Sequence, residues 1–338
     1  MTNSTCTSCP IGADKSAYWV PQMYVQFKNG SGFGLVESHQ IVYYQPRGAK
    51  GEEVIAFPPG LKMLAGDPKL RKGGGSIQQR AITWVCLDYK NNNPVKEQQG
   101  IPNAHCPDGL RGQVNFPMCW NGKDLDSPDH QSHVAYADGL DGGACPKGYK
   151  KMVKIFYETF FHVGKWDSEW ASETKHPFVL SNGDPTGFGF HGDFLNGWDV
   201  PVLQAAIDQC SDKNYFNSGE CAPLKATFSD KPPTQRCTTK PQVEEPINMV
   251  AKLPGNNPVT SVATPATPET GSDDDKTTTP VTTTPAATTK KPVTTTATPV
   301  ASKPAATSAT PSTTVTPSAS GPAPTSTPAE TKHCGVKK

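Results

Sequence analysis

Met152-Val-Lys-Ile-Phe-Tyr-Glu-Thr-Phe-Phe161 decides the fold class. Its β-branched and aromatic content favours a strand over a helix. Outward from it, Ala81-Ile-Thr-Trp-Val-Cys-Leu87 reads as the strongest central strand, and Ile41-Val-Tyr-Tyr44 and Val54-Ile-Ala-Phe57 as short strands. Tyr18-Trp-Val-Pro-Gln-Met-Tyr-Val-Gln-Phe27 is rich in β-formers, but Pro21 places it at an edge or bulge. Asn29-Gly30 then marks a hairpin turn. One helix is expected over Pro201 to Cys210, with Asp199 at its entry and Val202, Leu203, Ala206 and Ile207 as its apolar stripe. The expected fold is therefore mainly β. It is an antiparallel β-sandwich-like single domain with long loops and one or two short helices, followed by a disordered Thr/Pro-rich tail.

The tail follows from composition. The chain has 338 residues, of which 35% are hydrophobic, and its mean hydropathy is −0.53. That polarity is unevenly spread. All 28 aromatics (13 Phe, 9 Tyr and 6 Trp) fall at or before Phe228, and 14 of the 34 prolines lie from Pro254 onward. Stretches such as Thr277-Thr-Thr-Pro-Val-Thr-Thr-Thr-Pro285 have too little apolar area to offset about 1–2 kcal/mol of backbone entropy per residue. Residues 1–245 are expected to form the β-rich domain, and 246–338 a disordered Thr/Ser/Pro/Ala-rich tail of polyproline II character. Its composition is that of an O-glycosylated stalk, or of a plain linker.

A net charge of +1 excludes electrostatics as the main route to nucleic acid or anionic lipid. No apolar run is long enough to span a membrane. Ten cysteines, nine of them at or before Cys237, suggest an oxidising compartment, and two sequons at Asn3 and Asn29 agree. Cys6-x-x-Cys9 lacks a second such pair and a βα context, so disulfides are favoured over a redox or zinc site. The first residues show no signal peptide. Nine domain cysteines make an odd number, with Cys334 far beyond them. Both features suggest a domain without its natural beginning; alternatively Cys334 pairs with the domain or with another chain.

Two segments carry candidate chemistry. Cys119 to Val134 packs Asp124, Asp126, Asp129, His130 and His133 closely together. Such carboxylates and imidazoles supply general acids and bases or bind a metal, although the spacing matches no metal signature. The alternative is a long loop in which the aspartates and Ser127 cap turns and the histidines bond backbone. Ser181 to Asp199 interleaves glycines with Phe188, Phe190, Phe194 and Trp198, and adds Asp184, His191 and Asp193. Its glycine spacing is not a phosphate cradle, and it contains no nucleophile elbow. Aromatic faces beside Asp, His and Asn suit a sugar-binding surface, with Trp120, Phe188, Phe190 and Trp198 as stacking candidates. The competing reading is a tightly turned loop whose aromatics belong to the core.

The same segments carry a resemblance. Ser4-Thr-Cys-Thr-Ser-Cys9, Asp14-Lys-Ser-Ala-Tyr-Trp19, Gly66-Asp-Pro68, Phe116-Pro-Met-Cys-Trp-Asn-Gly-Lys123, Leu125 to Tyr136 and Ser181 to Asp193 are similar to a fungal secreted family. It is the family catalogued as domain of unknown function number nineteen ninety-six, and the similarity runs from about Ser4 to about Cys210. The resemblance implies secretion and a fungal source, and assigns no reaction. It also implies an upstream signal peptide and a histidine-containing motif that this sequence lacks. Such histidines would complete any site built on His130, His133 and His191.

Three functions are therefore in play. The first is a secreted wall or surface protein directed at polysaccharide. The second is a polysaccharide hydrolase or lyase using Asp126, Asp129, His130, His133, Asp184, His191 and Asp193. The third is a metal-dependent protein using the histidines. No particular cofactor is specified.

Overall fold

The computed structural model describes residues 4–49, 51–90, 96–210, 220–231, 233–237 and 247–262. Asn3, Cys334 and the tail from 263 onward, with the disorder expected there, lie outside the described residues. Among the described residues are fourteen short strands. They are β1 (Ala17–Trp19), β2 (Met23–Gln26), β3 (Phe33–Leu35), β4 (Ser38–Gln45), β5 (Lys62–Ala65), β6 (Ile82–Cys86) and β7 (Leu110–Asn115). There follow β8 (Cys119–Trp120), β9 (Val134–Ala135), β10 (Lys150–Lys151), β11 (Lys154–Phe161), β12 (Phe178–Leu180), β13 (Gly192–Leu195) and β14 (Met249–Val250). Four short helices accompany them: α1 (Ile77–Arg80), α2 (Val200–Cys210), α3 (Ala222–Lys225) and α4 (Pro233–Arg236). The fold is mainly β, its sheets are antiparallel and its helices are few and short, as the sequence predicts.

The strands form four sheets, ordered β4-β11-β7-β6, β1-β13-β5, β12-β2-β3-β14 and β10-β8-β9. The first is organised on β11, which pairs with β4 from Lys154↔Gln45 to Phe161↔Ser38 and with β7 from Phe156↔Asn115 to Phe161↔Leu110. The second packs against it through aromatic rings. Phe194 of β13 meets Tyr18 at 5.7 Å and Phe57 at 5.0 Å, and Tyr18 meets Tyr157 of β11 edge-on at 5.9 Å. Gly192 is required at this seam, since a Cβ there would lie 3.0 Å from the Phe116 ring and 3.2 Å from Tyr157. The result is sandwich-like.

The strand predicted to be central, Ala81–Leu87, lies instead at the edge of its sheet as β6. Its residues are all buried because a loop covers the free edge. Trp84 exchanges backbone bonds with Gln98 at 2.8 and 3.1 Å, and the Cys86–Cys106 disulfide closes the same loop. A continuous apolar run reports burial on both faces, which a covered edge supplies as well as a central position does. Val54–Phe57 makes one bridge, Ile55↔Met152, rather than a strand. Pro21 splits the first β segment between two sheets, and the Asn29-Gly30 turn joins β2 to β3 with Gly30 at φ +76. The helix forms over Val200–Cys210 and buries Leu203, Ala206 and Ile207.

The described chain stays on the domain beyond the boundary at 245 that composition suggests. Met249↔Gly34 and Val250↔Phe33 pair β14 with β3, Leu253 is buried, and Thr260 N–H donates to Gly183 O at 2.9 Å. Disulfides join Cys6 to Cys237, Cys86 to Cys106, Cys119 to Cys145 and Cys210 to Cys221. Cys9 is disulfide-bonded too, so the odd count leaves no free thiol among the described cysteines. No helix among the described residues is long and apolar enough to cross a membrane.

Candidate functional site

A concavity is built by two loops that meet at Gly66. The first leaves β5 through Gly66, whose φ of +95 and contacts favour glycine. A Cβ there would sit 2.8 Å from Phe190 O and 3.0 Å from the His191 Cα. This loop runs to α1, where Ser76 and Gln79 form a capping box. Beneath it, the buried Arg71 guanidinium donates to the carbonyls of Leu70, Thr260, Pro68 and Asn182 at 2.7, 2.8, 2.9 and 3.4 Å. Arg71 also lies 3.6 Å from the carboxylate of Asp184.

The second loop, 127–136, is wound around Asp129. That carboxylate accepts from Ser127 Oγ, Ser132 Oγ, Ser132 N–H and Gln131 N–H at 2.7, 2.8, 2.9 and 3.0 Å. The backbone bond from Ser132 is the largest of the influences that hold Asp129 well below the usual carboxylate range. Gln131 Nε2 then donates to Gly66 O at 3.0 Å and ties the two loops together. Between them run two adjoining cavities of about 390 and 280 Å³ that share Gly66, Gln78 and Gln131. The larger is lined by Gln78, Gln79, Gln99 and Gln131 with Asp67, Ser76, Lys72 and the Phe188 ring; the smaller adds Asp129, Ser132 and Tyr136.

A second set of groups gathers on the solvent side of the β1-β13-β5 sheet. Trp19, Asp193 and Leu64 are cross-strand partners, and alternation points them away from the core that holds Phe194. Trp19 is 42% exposed, enough to offer a ring face, and lies 5.5 Å from the His191 ring. His191 is buried, and its Nδ1–H donates to Gly189 O at 2.8 Å, which leaves Nε2 as the basic nitrogen. Burial pushes this imidazole below its ordinary value, against the opposite pull of the Gly189 bond and the carboxylates of Asp193, Asp67 and Asp184. Burial likewise raises the Asp193 carboxyl, opposed by the charges of His191 and His130. Burial therefore shifts these two neighbouring groups in opposite directions, the Asp193 carboxyl up and the His191 imidazole down.

The other candidates are placed differently. Asp126 pairs with His130 Nδ1 at 2.5 Å and Lys62 Nζ at 2.9 Å. Burial raises its carboxyl, but bonds from His130, Lys62 and the Ser127 N–H outweigh that and bring it to about 2. His133 is buried, with Nε2 at 2.7 Å from Lys62 O and Nδ1 at 2.8 Å from Ser127 Oγ, so it splices the second loop onto β5. Asp184 is fully buried. It accepts from Thr186 Oγ1, Gly189 N–H and Thr186 N–H at 2.6, 2.6 and 2.7 Å and shapes the glycine-rich turn from inside.

Of the four stacking candidates, Phe188 lines the cleft. Phe190 and Trp198 are buried in the core, where Phe190 packs on Trp84 at 4.7 Å and Trp198 Nε1–H donates to Tyr44 at 2.8 Å; neither offers a face to a sugar. Trp120 is half-buried, donates to Asp124 O at 2.7 Å and lies under Lys150. Asn29 is exposed at its hairpin tip. Among the described residues no three His, Cys, Asp or Glu side chains gather as a metal-binding group, so His130, His133 and His191 do not converge as ligands.

The sequence reading missed Trp19 and the glutamines. Trp19 registers only as a β-former, although its place next to core-facing Tyr18 was a usable signal. Gln78 on α1 and Gln99 and Gln131 on two separate loops are far apart in sequence and form no motif. The family described as Domain of unknown function (DUF1996) matches residues 1–198. No curated protein and no solved structure matches the chain.

Proposed function

We propose that this chain, which belongs to the Domain of unknown function (DUF1996) family, is a secreted fungal cell-wall or surface-associated protein that holds a polysaccharide in the cleft between loops 66–79 and 127–136. The observation that carries this reading is the cleft lining. Gln78, the amide oxygen of Gln131 and the Phe188 ring offer polar and apolar partners to a neutral pyranose, while Gln99 on Gly74 and Gln131 Nε2 on Gly66 O brace the walls around them. Lys72 is the one cation in the lining of the larger cavity, so the surface is not built for a polyanion. Disulfides agree with an oxidising compartment. The Thr/Ser/Pro/Ala-rich sequence from 263 onward has the composition of an extended, O-glycosylated spacer between this domain and a polymer. The test is retention on insoluble β-glucan and chitin. The wild type is expected to be retained on at least one of them, and Gln78→Ala with Gln131→Ala to be retained markedly less. Failure to bind any wall polysaccharide would sink the reading.

A second reading, a polysaccharide hydrolase or lyase, is favoured by one pair. His191, with Nδ1–H bonded to Gly189 O, and Asp193, whose carboxyl burial raises, lie near the exposed Trp19. It requires release of reducing or unsaturated ends from a wall polysaccharide by the wild type and none by His191→Ala. Product release that is equal in the two proteins would eliminate the pair.

A further inference from the structure

His39 lies on β4, directly opposite Phe160 of β11, at the free edge of the four-stranded sheet. His162 follows β11, and its N–H donates to Glu37 O at 2.9 Å. This continued pairing sets His162 diagonally across from His39 on the same sheet face. His39 Nδ1 and His162 Nε2 are 3.3 Å apart, with ring centroids at 5.3 Å and planes inclined by 31°. Phe160 stacks on His39 at 4.9 Å and 6°, which restricts the ring to this orientation.

The spacing is the informative quantity. A hydrogen bond from a ring N–H is best at about 2.7–3.2 Å, so this one is long. A tetrahedral zinc ion with Zn–N of about 2.0–2.1 Å places two ligand nitrogens about 3.3–3.4 Å apart. The pair therefore stands at the separation of two ligand nitrogens, and a metal would replace the proton now held between them. Glu37, its carboxyl lowered chiefly by the bond from Lys165 Nζ at 2.7 Å in an exposed ion pair, lies close enough for the His162 charge to lower it further but does not join the two imidazoles as a third ligand.

We propose that His39 and His162 form a surface site for a divalent cation of the zinc class, with two imidazole ligands and the remaining positions open to water. The site is independent of the cleft and of any polysaccharide bound there.

The experiment is calorimetric titration of the metal-stripped full chain with Zn²⁺ alone. Wild type is expected to bind one ion through this pair. His39→Ala and His162→Ala are each expected to weaken that binding by about tenfold or more, a scale that even outer-shell changes reach. His130→Ala, in which the Asp126-paired imidazole is removed instead, is expected to bind as the wild type does. Zn²⁺ should also raise the melting temperature of wild type and not of the two site variants, a readout that keeps folding and binding distinct. No heat beyond dilution with wild type, or unchanged affinity in both site variants, would overturn the site.

Discussion

Arg71→Met removes the cation beneath the cleft wall while keeping an apolar stem of similar reach. In the native protein the guanidinium serves four carbonyls at 2.7–3.4 Å and faces Asp184 at 3.6 Å, with 6% and 0% of the two side chains exposed. Asp184 keeps its three donors from Thr186 and Gly189 but loses the guanidinium that faces it. Breaking one half of such a buried pair costs about 3–5 kcal/mol. With a urea m-value of about 3 kcal/mol/M, the unfolding midpoint should fall by about 1–1.7 M. The loss is local in origin, because Pro68 and Leu70 carry the wall that continues into Lys72 and Gly73. Glycan retention should therefore fall even where the variant is fully folded. The assay is urea unfolding followed by tryptophan fluorescence, with retention measured in parallel. A midpoint within about 0.3 M of wild type would refute the claim that this ion organises the wall.

Asp14 is fully buried beneath β1, accepts from Tyr18 and Ser16, and burial drives its carboxyl up to about 6. A carboxyl that holds its proton more tightly when folded contributes stability in full below its unfolded value of 3.8, and loses it as pH rises through about 6. Wild type should thus lose about 2 kcal/mol relative to Asp14→Asn between pH 4 and pH 7, measured by urea unfolding at each pH; parallel profiles would rule this out. Gly66→Ala places a Cβ 2.8 Å from the Phe190 carbonyl at a φ of +95, so it should cost about 2 kcal/mol and lower the melting temperature by about 4–8 °C. Calorimetry checks this, and an unchanged melting temperature would show that the loop junction relaxes freely.

The parts of the fold legible in the sequence are those fixed by local pattern. The Met152–Phe161 run becomes β11 because aromatic and β-branched side chains on both faces are used, Tyr157 toward the core and Phe156 and Phe160 away from it. The Pro201–Cys210 stripe becomes one face of α2 for the same local reason. Sheet order was not legible, because burial of Ile82–Cys86 does not distinguish a central strand from a covered edge. Chemical density in the sequence likewise has more than one structural use. Asp129, His133 and Asp184 sit in loops whose backbone groups need partners, and their polar atoms are spent there. Asp193 differs because β13 alternation carries it outward, while His191 is buried with its Nδ1–H on the Gly189 carbonyl. Beyond 245, a two-residue strand and one buried leucine, Leu253, anchor a Pro- and Asn-rich segment that composition alone does not mark as ordered.

The covalent links bear directly on how such a cleft can bind. Cys119–Cys145 closes a separation of 26 residues that contains the whole of the loop 127–136, and Cys86–Cys106 closes one of 20 residues that contains Gln98 and Gln99. Each link restricts the unfolded chain by about 3 kcal/mol in the loop-entropy account. That matters because loops without their own strands or helices have few ways to hold a geometry. Amide and hydroxyl contacts to a sugar are individually weak and are easily cancelled by the entropy of ordering the groups that make them. A cleft formed from loops can therefore hold a neutral glycan only if those loops are already fixed. Here they are fixed by two disulfides, by the Asp129 knot, and by the Arg71 and Gln131 ties that converge around Gly66.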